Sequence, residues 1–446
     1  MKLQLNKFKI TFTFFLLAVL PLAVLAQQPK LSNFRPYDKT GMHMFETLKS
    51  DTVPFNGLAV RWGAGFTQQF QNLKHENPGA VNNTGTGANR LYPIKNGFMT
   101  AQANLFMDVQ LADGIKLNVT SYMSARHHNE FWVKGGYIQF DKLPFNGAFW
   151  NNLMKIATIK IGHFEVNYGD QHFRRSDGGQ TLYNPFIENY IMDQFATEIG
   201  GEVYLQKNGL FGMIGMTSGM IKGSIDSFPV TPQDPNTARN PSIYFKGGID
   251  KQVNQDLRFR LSASLYTNSS NAGSGLTLFS GDRTGSNYQN VMEKGVPGAL
   301  PASTALYTSG RFNPGFSKTL TATMLNGFIK YKGFETFGTY EFANGRTKAE
   351  ADKRNATQFA IEGIYRFGKE ENLFIGYRYN TVKARLAGFT ADVKLNRSSF
   401  AAGWFLTKNV LLKGEMVNQQ YVDFPSADYR SLGKFNGYII EAVVGF

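Results

Sequence analysis

The chain has 446 residues, no cysteine and a formal net charge of +14. Lacking cysteine, it can form no disulfide, thiolate metal site or cysteine nucleophile, so hydrogen bonding and packing must hold it together. Its mean hydropathy is −0.28 although Phe, Tyr and Trp make up 14% of it, and after the first residues no stretch of eighteen apolar residues exists to span a membrane as a helix.

Residues 1–26 read as a signal peptide. Lys2, Lys7 and Lys9 form a positive start, Ile10 to Leu25 an apolar run broken at Pro21, and Val24 and Ala26 are small residues before a cut at Gln27. Removal takes away three lysines and no acids, which brings +14 to +11 and leaves about 420 residues, room for one very large all-β domain or two to three ordinary ones. Residues 27–54 show no clear alternation, although Gly41 to Lys49 has the makings of a short helix. They are expected as a periplasmic lead-in to a barrel over 55–446.

From Leu58 the period becomes two. Leu58, Val60, Trp62, Ala64, Phe66 and Phe70 share one face, and Arg61, Gly63, Thr67, Gln69 and Gln71 share the other. Met99 to Leu111 alternates in the same way, Asp113-Gly114 turns the chain, and Ile115 to Ser124 returns. Further strands are predicted near 131–141, 154–167, 197–206, 210–221, 243–253, 257–268, 319–332, 334–344, 356–367, 372–384, 394–407, 410–422 and 435–446, about sixteen in all. Short turns alternate with long connections at 71–95, 169–196, 222–242, 270–318 and 345–355, and only 141–153 is long where a short turn is expected. This alternation, with an aromatic residue ending the last strand (Tyr438, Ile440, Ala442, Val444, Phe446), points to an all-β transmembrane antiparallel barrel.

Tyr168 to Ala196 is too long and polar for a turn and too aromatic for disorder. It carries Asp170, His172, Arg174, Arg175, Asp177, Glu188 and Asp193. Two readings stand: a loop folded into the lumen as the pore constriction, with Arg174 and Arg175 projecting into a narrow aqueous space, or an exterior loop covering the mouth. Parity makes Arg61, Lys116, Lys160, Arg258, Arg260, Arg366 and Arg378 the basic residues of the pore wall, opposite Asp108, Glu198, Glu202, Glu362 and Glu441. Such charges bias ion passage by sign or simply pair across strands.

The six histidines, His43, His75, His127, His128, His163 and His172, show no ligand spacing, so no metal site and no cofactor are expected. Ser176-Asp177 beside His172 orients no nucleophile, and neither a GxSxG elbow nor a phosphate-binding loop is present. No aromatic-basic recognition motif accompanies the positive charge, so no nucleic-acid partner is expected.

The strand count, the loop alternation and terminal Phe446 together resemble a sixteen-stranded outer-membrane porin. The resemblance implies an inward-folded third external loop, which counting 71–95, 126–130 and 168–196 makes the Tyr168–Ala196 stretch. It also implies a Gram-negative outer-membrane bilayer as surroundings, recognition of the last strand by the barrel-assembly machinery and, as one option, a homotrimer. Ile156 to Tyr168 is similar to the strand before that loop in phosphate-selective porins, which implies pore roles for Arg174, Arg175, Arg258 and Arg260; the run FRRSDGG to GGE resembles porin-like proteins of Bacteroidetes. The expected function is passive diffusion of small polar solutes or ions through a loop-constricted pore, without catalysis. The alternative is a plugged barrel acting as a surface-binding or assembly protein, with 270–318 as its contact element.

Overall fold

The structure, a computed structural model, describes residues 28–125, 131–145, 147–218, 230–236, 238–271, 275–295 and 309–446. The expected signal peptide and the pair His127-His128 lie outside the described residues.

The strands run in chain order as β1 (Ala59–Glu76), β2 (Gly97–Phe98), β3 (Gln102–Ala112), β4 (Ile115–Ser124), β5 (Trp132–Phe140) and β6 (Ala157–Glu165). They continue as β7 (Thr197–Lys207), β8 (Leu210–Thr217), β9 (Ser242–Gln252), β10 (Leu257–Asn268), β11 (Thr319–Tyr331) and β12 (Phe334–Arg346). The last are β13 (Arg354–Phe367), β14 (Leu373–Ala384), β15 (Val393–Thr407), β16 (Val410–Val422) and β17 (Lys434–Gly445). Every pairing is antiparallel and joins chain neighbours, except that β2 and β3 both lie along β1 and that β1 closes the sheet against β17. Because β2 is only a two-residue piece beside β1, the wall is a closed barrel of sixteen strands.

Alternation sets the two faces. In β13, Phe359, Ile361, Tyr365 and Phe367 are exposed on the outside, while Gln358, Glu362 and Arg366 between them are buried inside. This is the inverse of a water-soluble protein. A closed barrel with an apolar exterior and a charged interior leaves no unpaired edge in lipid, which is the construction of a barrel that sits in a membrane. No described helix is long and apolar enough to cross a membrane.

One rim carries tight turns. At Asn208-Gly209 both residues have positive φ, 54° and 82°, the conformation that suits a two-residue turn to the twist of its strands. The exception among these connections, between β5 and β6, holds the short helix α1 (Ala148–Leu153). By the usual asymmetry of such barrels this is the periplasmic rim.

One expectation is corrected. Gly41 to Lys49 is not a helix; one 3-10 turn at Lys39–Gly41 precedes it, capped by Asp38. Residues 28–56, which take in the described part of the expected lead-in, bond to the barrel wall. The Tyr37 hydroxyl donates to Asp108 at 2.7 Å, the Arg258 guanidinium to the carbonyl of His43 at 2.8 Å, and Lys39 to Asn372 at 2.6 Å. The segment crosses the lumen at the periplasmic end because the inward charges of the wall offer it partners.

Candidate functional site: the barrel lumen

After β6 the chain leaves the wall. Gly169 adopts φ +71°, and a Cβ there would lie 2.3 Å from the Met324 sulfur, so the turn is open only to glycine. A 3-10 turn at Gln171–Phe173 follows, and Asp177 and Gln180 bond each other's backbone at 3.0 and 2.9 Å. Asn189 accepts from the Ser176 amide at 2.7 Å, and Ser176 Oγ donates to the Ile187 carbonyl at 2.8 Å, which folds the segment on itself.

Wall side chains hold its backbone from one flank of the barrel. Lys413 Nζ on β16 donates to the carbonyls of Thr181, Asn184 and Phe186 at 2.9, 2.8 and 2.8 Å. Arg397 and Arg378 donate to those of Asn189 and Glu188 at 2.7 and 2.9 Å. Gln358 and Asn380 accept from the amides of Met192 and Ile191 at 2.9 and 2.6 Å. These inward residues give an irregular segment the partners that a strand neighbour would otherwise supply.

Its charged residues form ion pairs. Arg174 lies 2.8 Å from Glu335 and 2.7 Å from Glu362, which in turn meet Arg366 at 3.0 Å and Arg378 at 2.8 Å. Burial works against the Arg174 charge, but the two carboxylates outweigh it and hold the proton more tightly than usual. Asp170 faces Arg260 through two bonds of 2.8 Å and Lys246 at 2.7 Å. Burial alone would raise its pKa, yet Lys246 and Arg260 bring it well below the carboxylate range. Arg175 reaches Asp193 at 2.8 Å, Asp177 at 3.3 Å and Asp282 at 3.7 Å, and Lys134 also pairs with Asp177. Glu188 accepts from the Asn287 amide at 2.7 Å, which ties the segment to the long β10–β11 connection.

The structure therefore groups the sequence-predicted residues differently from expectation. Arg174 does not project into water; it is 4% exposed and saturated with carboxylates. Of the predicted wall bases, Arg378 binds the Tyr168–Ala196 stretch, Arg260 binds both that stretch and Glu46, and Arg61, Lys116 and Arg258 bind residues 28–56. His172 bonds Asn167 at 2.8 Å, and burial holds it neutral, far below the usual histidine range. In the described parts of the 270–318 connection, expected as the contact element of the alternative reading, Leu278, Tyr288, Val291 and Phe316 are buried. Sequence reasoning missed Lys246, Glu335, Arg397, Lys413 and Glu415 on the wall, all of which strand parity places inward.

Open space remains against β3–β7. A cavity of about 310 Å³ lies there between the wall, residues 28–56 and the Tyr168–Ala196 stretch. Lys116, Lys134 and Lys160 line it together with Asp108, Glu165 and Asp177. Arg175 and Asp177, unlike Arg174, reach this space.

No protein-family model matches the sequence, and no curated protein matches it. Among solved structures it is similar to an anion-selective porin from Comamonas acidovorans, with a TM-score of 0.50 and 9% identity over 87% of this chain and 100% of that one. Comparison with OmpF of Salmonella typhi, in complex with daunomycin, gives a TM-score of 0.49 and 11% identity over 88% and 99%. The outer membrane channel DcaP of Acinetobacter baumannii gives 0.48 and 11% over 88% and 99%. In fold, the chain is a sixteen-stranded outer-membrane β-barrel of the kind seen in the Comamonas acidovorans porin.

Proposed function

We propose that the protein is an outer-membrane porin through which small polar or ionic solutes diffuse passively, constricted by the Tyr168–Ala196 stretch. The observation that carries this reading is the eccentric cavity along β3–β7, lined by charges of both signs. A polar passage in a low-dielectric wall lowers the cost of moving a hydrated solute across the bilayer, and no chemical step is needed. Phosphate selectivity gains no support, because Arg174, Arg175, Arg258 and Arg260 each face carboxylates. A homotrimer and recognition of β17 by the barrel-assembly machinery remain part of the proposal.

Single-channel recording in planar bilayers tests it. Purified protein is expected to give small, discrete conductance steps with weak ion selectivity. Lys160 lines the cavity with its Nζ 3.4 Å from Glu202. Lys160→Gln removes one fixed positive charge and should shift the reversal potential toward cation preference in a salt gradient. An unchanged reversal potential would place the solute path elsewhere.

One observation favours a second reading, a plugged barrel. Residues 28–56, the Tyr168–Ala196 stretch and the described β10–β11 connection fill part of the lumen with buried side chains. Complete absence of conductance would select it.

A further inference from the structure

Residues 28–56 divide the interior of the barrel. Above them lies the cavity of about 310 Å³; below them two further cavities, of about 520 and 870 Å³, reach the periplasmic turns at Lys207–Gly209 and Asp113-Gly114. Single residues of the segment face more than one of these spaces. Glu46 lines the first and second, Asn33 the first and third, and Lys49 the second and third. Where the segment lies, it is the partition between the lumen and the rim.

Its construction is that of a unit on a hinge. The amide of Asn33 donates to the carbonyl of Asp51 at 2.6 Å, and Ser32 and Val53 bond each other at 3.2 and 2.9 Å, so residues 32–53 close into a loop of their own. Pro54 to Leu58, which join this loop to β1, are all exposed. Gly57 among them has φ +111° with open space where a Cβ would stand.

The loop meets the wall through ion pairs, hydrogen bonds and a few ring contacts, such as Tyr37 on Phe106. Glu46 lies 3.0 Å from Lys246 and 2.8 Å from Arg260, Tyr37 bonds Asp108, and Lys49 lies 3.3 Å from Asp141. Phe45 is its deepest apolar anchor, 2% exposed, with Phe173 and Phe328 edge-on to it. Water can replace each polar contact as the loop leaves, so the net cost of undocking is far below the sum of its bonds. The loop also touches the Tyr168–Ala196 stretch: Arg35 donates to the Phe173 carbonyl at 2.8 Å and stacks 3.9 Å above the Tyr183 ring.

We propose that residues 32–53 are a displaceable gate at the periplasmic end of the passage. Docked, the loop separates the lumenal cavity from the rim; swung out on Pro54–Leu58, it joins the three cavities into one path. Its contacts with Phe173 and Tyr183 make the constriction on the opposite side responsive to its position. The proposal rests on the reading of the barrel as a channel.

The absence of cysteine from the chain makes a thiol test clean. Glu46→Cys combined with Lys246→Cys places two thiols across the docking contact, to be bridged by a short reducible bis-methanethiosulfonate. The bridged channel is expected to conduct several-fold less than the same protein after reduction. Tyr37→Cys with Phe106→Cys, whose native rings stack at 3.9 Å, repeats the test without disturbing the Glu46 ion pairs. A variant lacking residues 33–51 should stay at the high level throughout. Equal conductance before and after reduction in both thiol pairs, in a protein that conducts, overturns the gate and leaves the channel standing. Silence in every form, the deletion included, overturns the gate and the channel together.

Discussion

Arg174 stands in the middle of a row of alternating charges, Arg366, Glu335, Arg174, Glu362 and Arg378, each within 3.0 Å of the next. Its removal leaves two buried carboxylates with one guanidinium each. Breaking a buried pair from one side costs about 3 to 5 kcal/mol, and the surviving Arg366 and Arg378 put Arg174→Ala at the low end. The expected result is a lower melting temperature in detergent, followed by circular dichroism, with Arg174→Lys between the two. A variant as stable as the parent would mean that water already shares this site. Strand parity marked Arg366, Arg378 and Glu362 as inward, because residues two apart share a face. Glu335 escaped because β12 alternates weakly: Phe337 points in while Thr336 and Gly338 point out. Nothing local ties Arg174 to partners 161 and 188 residues away.

The closing strand shows what an element contributes beyond its pattern. Phe446, just past β17, exchanges two backbone hydrogen bonds of 3.0 Å with Ala64 of β1, while its ring is exposed. It therefore helps to close the barrel seam and presents an aromatic surface, and the two roles can be separated. Phe446→Ala keeps both backbone bonds and loses only the ring; deleting Phe446 loses all three. Outer-membrane levels are expected to fall for both and further for the deletion. Equal levels in the two variants would show that the seam bonds carry no weight in assembly. Elements of this kind were legible: predicted strands at 257–268 and 410–422 coincide with β10 and β16. Residues 28–56 were not, for a physical reason. They have no periodicity of their own, and their partners are remote; Lys39 bonds a residue 333 positions away. The segment takes its shape from the cavity it fills.

At the scale of the whole molecule, the filled interior should answer to acid. Burial holds His43 and His172 neutral, well below the ordinary range. Around His43 stand Glu335, Arg366, Arg174 and Lys330; around His172 stand Lys246, Asp170, Lys160 and Arg35. Both folded-state values lie below the unfolded one, so the unfolded chain takes up protons first as pH falls. The stability they contribute is present above about pH 6.5 and is lost below it, at up to about 1.4 kcal/mol per pH unit for each. Asp170 keeps its contribution to a much lower pH, since its carboxyl stays ionised there. Thermal stability is expected to drop between neutral pH and pH 5, and His43→Gln with His172→Gln should flatten that drop; an identical slope in the double variant would assign it to other groups. The seating of residues 28–56 also bears on the order of assembly. Many of their partners sit on β9, β10 and β12 and on the turns at Glu370 and Lys408, about 200 residues or more downstream. The full surface that receives them exists only once those strands have paired, and contacts of such separation form late. The earliest described part of the chain is thus expected to seat late, after the wall has formed around it, and a refolding time course in which residues 28–56 gain protection together with β3 would overturn that order.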